Sequence, residues 1–414
     1  MRCPPDINET SVRKAIAIHA EGPLQESAWP CDVIGIHAKL IDQHNQFGLA
    51  RGFPVEEKFS RPDPNPKTLE TLLWQDFDFM ASTTPGFQGL ANRYILAEIH
   101  APRPSANCLS LESRSRTIHV ICFKSPLIHL INSAFSKILV LNHDERTADC
   151  LPEHEHILRD RAYSDTRLLA AFFNDMEVLF DQERLYLPFN PPHMAFPYDY
   201  CEQAESARRF ILAHEIAHTL FPQSKMAAEL ATLYGTNSDE DRRERAWTEE
   251  LWCDRIALIA LLNPFQHAPL TEPQQYGLQN VIIGVLTLLT LIDIIEIILS
   301  RLVGPSVTHP PAGLRRDLIR KMIKDAPLYE TTPHLKNILT ARWRRLNSFQ
   351  QFVSGANTPI VSPNRHMWSY TEFRDLLTPF GKSASQALFD ATVAESQVSF
   401  NSDPEKQMAD QHYF

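Results

Sequence analysis

Apolar residues recur at helical spacing along much of the chain and gather into short strand-like runs only between about residues 117 and 189. From Cys201 to about Lys324 the pattern reads as successive long helices. Shorter helices are predicted at Ser11–Ala20, Thr68–Phe77 and Leu127–Ser136. A longer one is expected at Ser164–Leu185, where Leu168, Leu169, Phe172, Met176, Leu179 and Phe180 share a face and Asp165 stands near the start as a cap. Runs rich in β-branched and apolar residues at Thr117–Phe123 (TIHVICF) and Lys137–Leu141 (KILVL) predict strands, with Leu185–Phe189 (LYLPF) as another, stopped by Asn190–Pro192. The expected class is α+β, predominantly helical, with a small sheet beside the long helices.

Prolines divide the chain. Pro4–Pro5 and the proline-spaced Arg61–Lys67 (RPDPNPK) break up the start, so residues 1–115 read as an irregular N-terminal region. Residues 116–330 form the central domain. Thr332–Phe352 and Ser383–Glu395 make 331–414 a helical C-terminal extension, polar toward Phe414. Within the central domain Val281–Ile292 is almost wholly apolar and the run resumes at Ile294–Leu299, broken by Asp293 and Glu296. A membrane span needs about 20 apolar residues, and carboxylates inside one are costly, so Val281–Leu302 is read as a buried core helix and no membrane partner is expected.

Composition adds exclusions. The 414 residues are 43% hydrophobic and 22% charged, as in an ordinary globular protein, and the net charge of −10 is interspersed rather than striped. Nucleic acid is therefore not an expected partner, and Arg242–Arg243 and Arg344–Arg345 read as solvated helix faces. Seven cysteines form an odd set without a CxxC pair, which implies free thiols in a reducing compartment. The first residues carry Asp6, Glu9 and Glu21 and no sustained apolar stretch, so a cytoplasmic protein without a secretory signal is expected.

The segment Ile211–Leu220, ILAHEIAHTL, changes the picture most. His214 and His218 stand four apart on one helix face and can reach one metal ion, while Glu215, one position round, can reach a water on that ion. No charge or proline other than the motif's own residues interrupts this window. A catalytic zinc site has three protein ligands and an open position. A histidine at 224 would be needed to extend the motif along the same segment, but Phe221, Pro222 and Ser224 exclude that extension. A carboxylate from the next helix is the alternative. In Ala246–Pro264, Glu250 and Asp254 stand four apart, one placed to bind the ion and the other to accept a hydrogen bond from the free nitrogen of a ligating histidine. Glu249 is the rival ligand; four residues on from it stands Cys253 rather than an acid. Gly235–Asp239 supplies the turn between the two helices.

HExxH followed by Glu250-Leu251-Trp252-Cys253-Asp254 and Ala257 resembles the gluzincin peptidases, and the form EExxxDxxALxxxL is similar to ImmA-like and Lit-type bacterial metallopeptidases. Thr308-His309-Pro310-Pro311 followed by Arg315 and Arg316 is similar to an element of several such proteins. The resemblance spans roughly 117–325. It implies a zincin-like domain over 116–330, one Zn2+ per chain held by His214, His218 and Glu250, Glu215 as catalytic base, and Asp254 as partner of a ligand. It also implies a protein or peptide substrate, bound as an added strand along a sheet edge that Thr117–Phe123 or Lys137–Leu141 would supply, and a role in phage defence or stress regulation. Cys253 departs from the alanine common at its position.

Other histidines are read more plainly. His154-Glu155-His156 sits in a charged, loop-like stretch and reads as surface, and His193 lies in a proline-rich loop as a lid or without a role. His309, before two prolines, either stabilises an oxyanion or is structural. Three functions thus stand at this point: a zinc-dependent endopeptidase, a non-catalytic sensor or interaction protein stabilised by zinc on the same scaffold, and a membrane-anchored protease. Glu215 favours the first, because a purely structural site has no use for that carboxylate.

Overall fold

The computed structural model describes residues 8–19, 69–99, 105–112, 117–124, 197–233, 239–266, 270–303 and 309–332, with scattered positions in 127–131 and 335–346. The segments Lys137–Leu141, Ser164–Leu185, Leu185–Phe189 and Ser383–Glu395, together with His154, His156 and His193, lie outside them. Helices α1 (Glu9–His19) and α2 (Leu69–Thr83) are followed by strands β1 (Tyr94–Ile99), β2 (Ala106–Glu112) and β3 (Thr117–Lys124). Then come α3 (Pro197–Leu220), α4 (Lys225–Leu233), α5 (Asp239–Leu262), α6 (Glu272–Val303) and α7 (Ala312–Asp325), with a short helix at Pro327–Thr331. The class is α+β, mostly helical with one small sheet.

The strand order is β1-β3-β2, with β1 parallel and β2 antiparallel to β3. β3 is therefore the central strand. Both sides of its backbone are engaged, so Thr117–Phe123 cannot offer the free edge expected of it; among the described residues β1 and β2 are the outer strands instead. Two of the three strands also precede residue 116, so the sheet draws on the region that reads as irregular in sequence.

Alternate residues of the strands feed two cores, as a period of two requires. Ile95, Ala97, Ile99, Ile118, Val120 and Cys122 pack with Val12 and Ile16 of α1. From the other face Tyr94, Leu96, Ile121 and Phe123 pack with α2 and the long helices. Covering on both faces explains why every residue of β1 is buried.

The long helices obey local chemistry. Proline fits the first turn of α3, where an N–H would lack a partner anyway, and Pro222 stops the helix in a 3-10 turn. Ser224 Oγ then accepts the Ala227 N–H at 3.0 Å and caps α4. Asp239, Glu240 and Asp241 open α5, where their charge favours the helix dipole. Its inner face then buries Glu250, Cys253, Asp254, Ala257, Leu258 and Leu261 at helical spacing.

α6 contains the apolar run, and 89% of its most apolar window is buried inside the fold. It packs against α3 closely enough that a Cβ on Gly284 would lie 2.5 Å from the Gln203 carbonyl oxygen. Nearby, the Gln203 amide donates to Asn280 Oδ1 at 3.0 Å. The hydroxyls of Tyr94 and Thr219 share a hydrogen bond that ties β1 to the end of α3.

Candidate metal centre

Three elements build the site. One turn of α3 carries His214 and His218, the middle of α5 carries Glu249, Glu250 and Asp254, and the first turn of α7 carries Arg315. The structure brings His214, His218 and Glu250 together as a group that could hold a metal ion, with one ligand atom from each lying within 4.8 Å of the others. The two Nε2 atoms are 3.1 Å apart; Nε2 of His214 lies 3.3 Å from Glu250 Oε2, and Nε2 of His218 lies 3.4 Å from Glu250 Oε1. A tetrahedral ion with bonds of about 2.0–2.1 Å spaces its ligand atoms about 3.3 Å apart, so the donor set has the right size.

The outer nitrogens show which way the protons point. Nδ1 of His214 is 2.9 Å from Asp254 Oδ1, and Nδ1 of His218 is 2.9 Å from Glu249 Oε1. Carboxylates only accept, so both Nδ1 atoms donate, and each neutral ring turns a lone pair on Nε2 toward the other. Two lone pairs at 3.1 Å beside a carboxylate repel unless a cation joins them. Glu250 Oε2, buried and without a hydrogen-bond donor among the described residues, needs the same cation. The site therefore fits a metal on its own chemistry.

Electrostatics agree. Burial opposes charge on His214, but the carboxylates of Asp254 and Glu250 outweigh that and raise its pKa. Burial likewise opposes charge on His218, whose pKa is nevertheless raised by Cys253, Glu249 and Glu250. For Glu250, burial favours the neutral acid, yet the two imidazoles hold its pKa far below the carboxylate range.

Asp254 is fully buried and saturated. Besides His214 it accepts Arg315 Nε at 2.7 Å on Oδ2 and Arg315 Nη2 at 2.8 Å on Oδ1, a two-pronged charge-assisted fork. Burial works against the Asp254 charge, and Arg315 together with His214 overcomes it and depresses the pKa.

Glu215 is buried beside the group but outside it, and burial raises its pKa while the two imidazoles pull the other way. A carboxylate made more basic in this manner suits a proton acceptor. His309 lies at the rim, its side chain 52% exposed and its Nε2 3.5 Å from Glu250 Oε1. The Cys253 thiol sits against His218, and burial raises its pKa to about 11, so it stands there as a neutral thiol.

Glu249 and Arg315 hold roles that sequence reasoning did not assign. Glu249 is the partner of His218 rather than a rival ligand, and the doublet Glu249-Glu250 was its only trace in the sequence. Arg315 belongs to the element after His309, but its contact with Asp254 bridges 61 positions. No protein-family model, curated protein or solved structure matches the chain.

Proposed function

We propose that this chain is a zinc-dependent endopeptidase with a zincin-like central domain, cytoplasmic, acting on a protein or peptide substrate. The observation that carries this reading is the pair of imidazoles with both Nε2 atoms turned inward at 3.1 Å, each fixed by its own carboxylate, with Glu250 completing the set and Glu215 held beside it. His214, His218 and Glu250 are the zinc ligands. Zinc bound by two histidines and a glutamate leaves a position for water, lowers the pKa of that water and polarises a carbonyl.

The chain supplies the remaining work. Asp254 and Glu249 hold the imidazole planes and increase their basicity through Nδ1. Glu215 accepts the proton of the attacking water and passes it to the leaving amine. His309, at the rim beside Glu250, donates a hydrogen bond to the oxygen that gains charge during attack. Among the described residues β2 is an outer strand of the sheet, and its Cys108 is close enough to Glu215 to feel its charge, so the strand runs past the site. An extended peptide adds to the outer edge of β2, which among the described residues pairs with no other strand, and so brings its backbone to Glu215.

Comparison of newly formed protein termini in cells expressing wild type and Glu215→Gln tests the proposal. A set of termini present only with wild type is expected. Identical sets would leave a zinc-stabilised interaction protein as the reading.

A further inference from the structure

Helix α7 begins without a cap of its own. Its N-cap position is Pro311, which makes no side-chain hydrogen bond to the helix, although the first N–H groups of an α-helix have no intrahelical acceptor. The acceptors come from α6. Glu296 Oε2 receives the Ala312 N–H at 2.8 Å, and the Asp293 carboxylate lies beside the Gly313 backbone. Asp293 Oδ2 also lies 3.7 Å from Arg316 Nη1. Two carboxylates that interrupt an otherwise apolar helix thus meet the positive end of the next one.

The turn they hold is the turn that carries Arg315, whose N–H reaches the Pro311 carbonyl at 3.2 Å. Arg315 grips Asp254, and Asp254 orients His214. We infer that Asp293 and Glu296 are positioning residues of the metal centre, acting through the first turn of α7, Arg315 and Asp254 on His214. The inference rests on the metal-binding reading above. A planar fork of two hydrogen bonds at 2.7 and 2.8 Å tolerates little displacement of its backbone, so a loosened first turn takes Asp254 or the His214 ring with it.

Zinc affinity of the full chain, measured by competition with a chelator, is the test, with melting temperature in chelator as the control on folding. Partners directly behind a metal ligand are worth about 10–100-fold in affinity, so Glu296→Leu, two links further out beyond Asp254 and Arg315, should weaken zinc by roughly tenfold, the low end of that range. Glu296→Gln keeps an acceptor for Ala312 and should lie within about threefold of wild type. In an Asp254→Asn background, where the link is already damaged, Glu296→Leu should add less than about twofold. If the leucine variant does not fold, the doubly neutral Asp293→Asn/Glu296→Gln chain decides, with an expected weakening of at least about threefold.

Zinc bound equally well by wild type and Glu296→Leu overturns the inference and leaves the peptidase reading intact. So does a glutamine variant as weak as the leucine one, a loss that persists in full beside Asp254→Asn, or an unchanged double variant. Wild type that binds no zinc overturns both.

Discussion

Nδ1 of His218 meets Glu249 Oε1 at 2.9 Å, while the neighbouring Glu250 faces the Nε2 atoms of both histidines. Consecutive side chains on a helix project about 100° apart, so adjacent glutamates reach opposite nitrogens of the same ring. Their substitutions should therefore differ in degree. Glu250→Ala should abolish tight zinc binding, whereas Glu249→Ala, which frees a ligand ring without removing a ligand, should weaken it about 10–100-fold. Calorimetric zinc titration of the two variants checks the ranking, and the reverse order would make Glu249 the ligand.

Arg315 and Asp254 form a buried, two-pronged ion pair. Arg315→Met leaves the Asp254 charge buried beside an apolar chain and should lower stability by about 3–5 kcal/mol. Urea denaturation in chelator isolates this effect from metal binding. A loss below about 1 kcal/mol would show that the fork contributes little.

Protons and the metal compete for the same nitrogens. Although burial opposes their charge, both ligand imidazoles have raised pKa values in the metal-free protein, through Asp254 and Glu250 on one ring and Cys253, Glu249 and Glu250 on the other. Raised values mean more protons to displace at a given pH, so affinity should climb as pH rises and fall as pH drops. Zinc titrations at pH 7 in buffers of different ionisation enthalpy should show release of about one proton or more per ion. Binding without release, and flat in affinity between about pH 6 and 8, would contradict the assigned ligands.

Gly284 governs the contact between α6 and α3. A methyl group there would approach the Gln203 carbonyl oxygen to 2.5 Å and Ser206 Cβ to 3.0 Å, so Gly284→Ala should cost about 1–3 kcal/mol through a shift of the helices. The fall in melting temperature should be similar with and without zinc. An unchanged melting temperature would show that the helices do not pack this closely.

Among the described residues, the long helices, the metal cluster and the central strand were legible because each rests on local pattern. His214 and His218 share a turn, Glu250 and Asp254 share another, and Thr117–Phe123 is a compact apolar run that the structure extends only to Lys124. β1 and β2 were not read. Tyr94–Ile99 is six residues long and buried on both faces, too short to distinguish from a helix fragment by spacing. Ala106–Glu112 splits its apolar residues between two cores, with Ala106 and Cys108 on one and Leu109 and Leu111 on the other, so neither face stands out. The role of Thr117–Phe123 as a centre rather than an edge depends on those two strands. Arg315 was visible as part of an arginine element, but its partner is fixed only by the packing of α7 on α5.

Glu215 bears the central claim, since it lies between His214 and His218 in sequence, stands outside the metal-binding group and makes no hydrogen bond among the described residues. Glu215→Gln keeps the volume and removes only the ability to accept a proton. The most direct measurement pairs zinc content by mass spectrometry with cleavage of a peptide library, in wild type and in this variant. About one zinc per chain in both proteins, with turnover lower by on the order of a hundredfold or more in Glu215→Gln, is the predicted result. Equal zinc with equal cleavage, or no cleavage by zinc-loaded wild type at all, would contradict it.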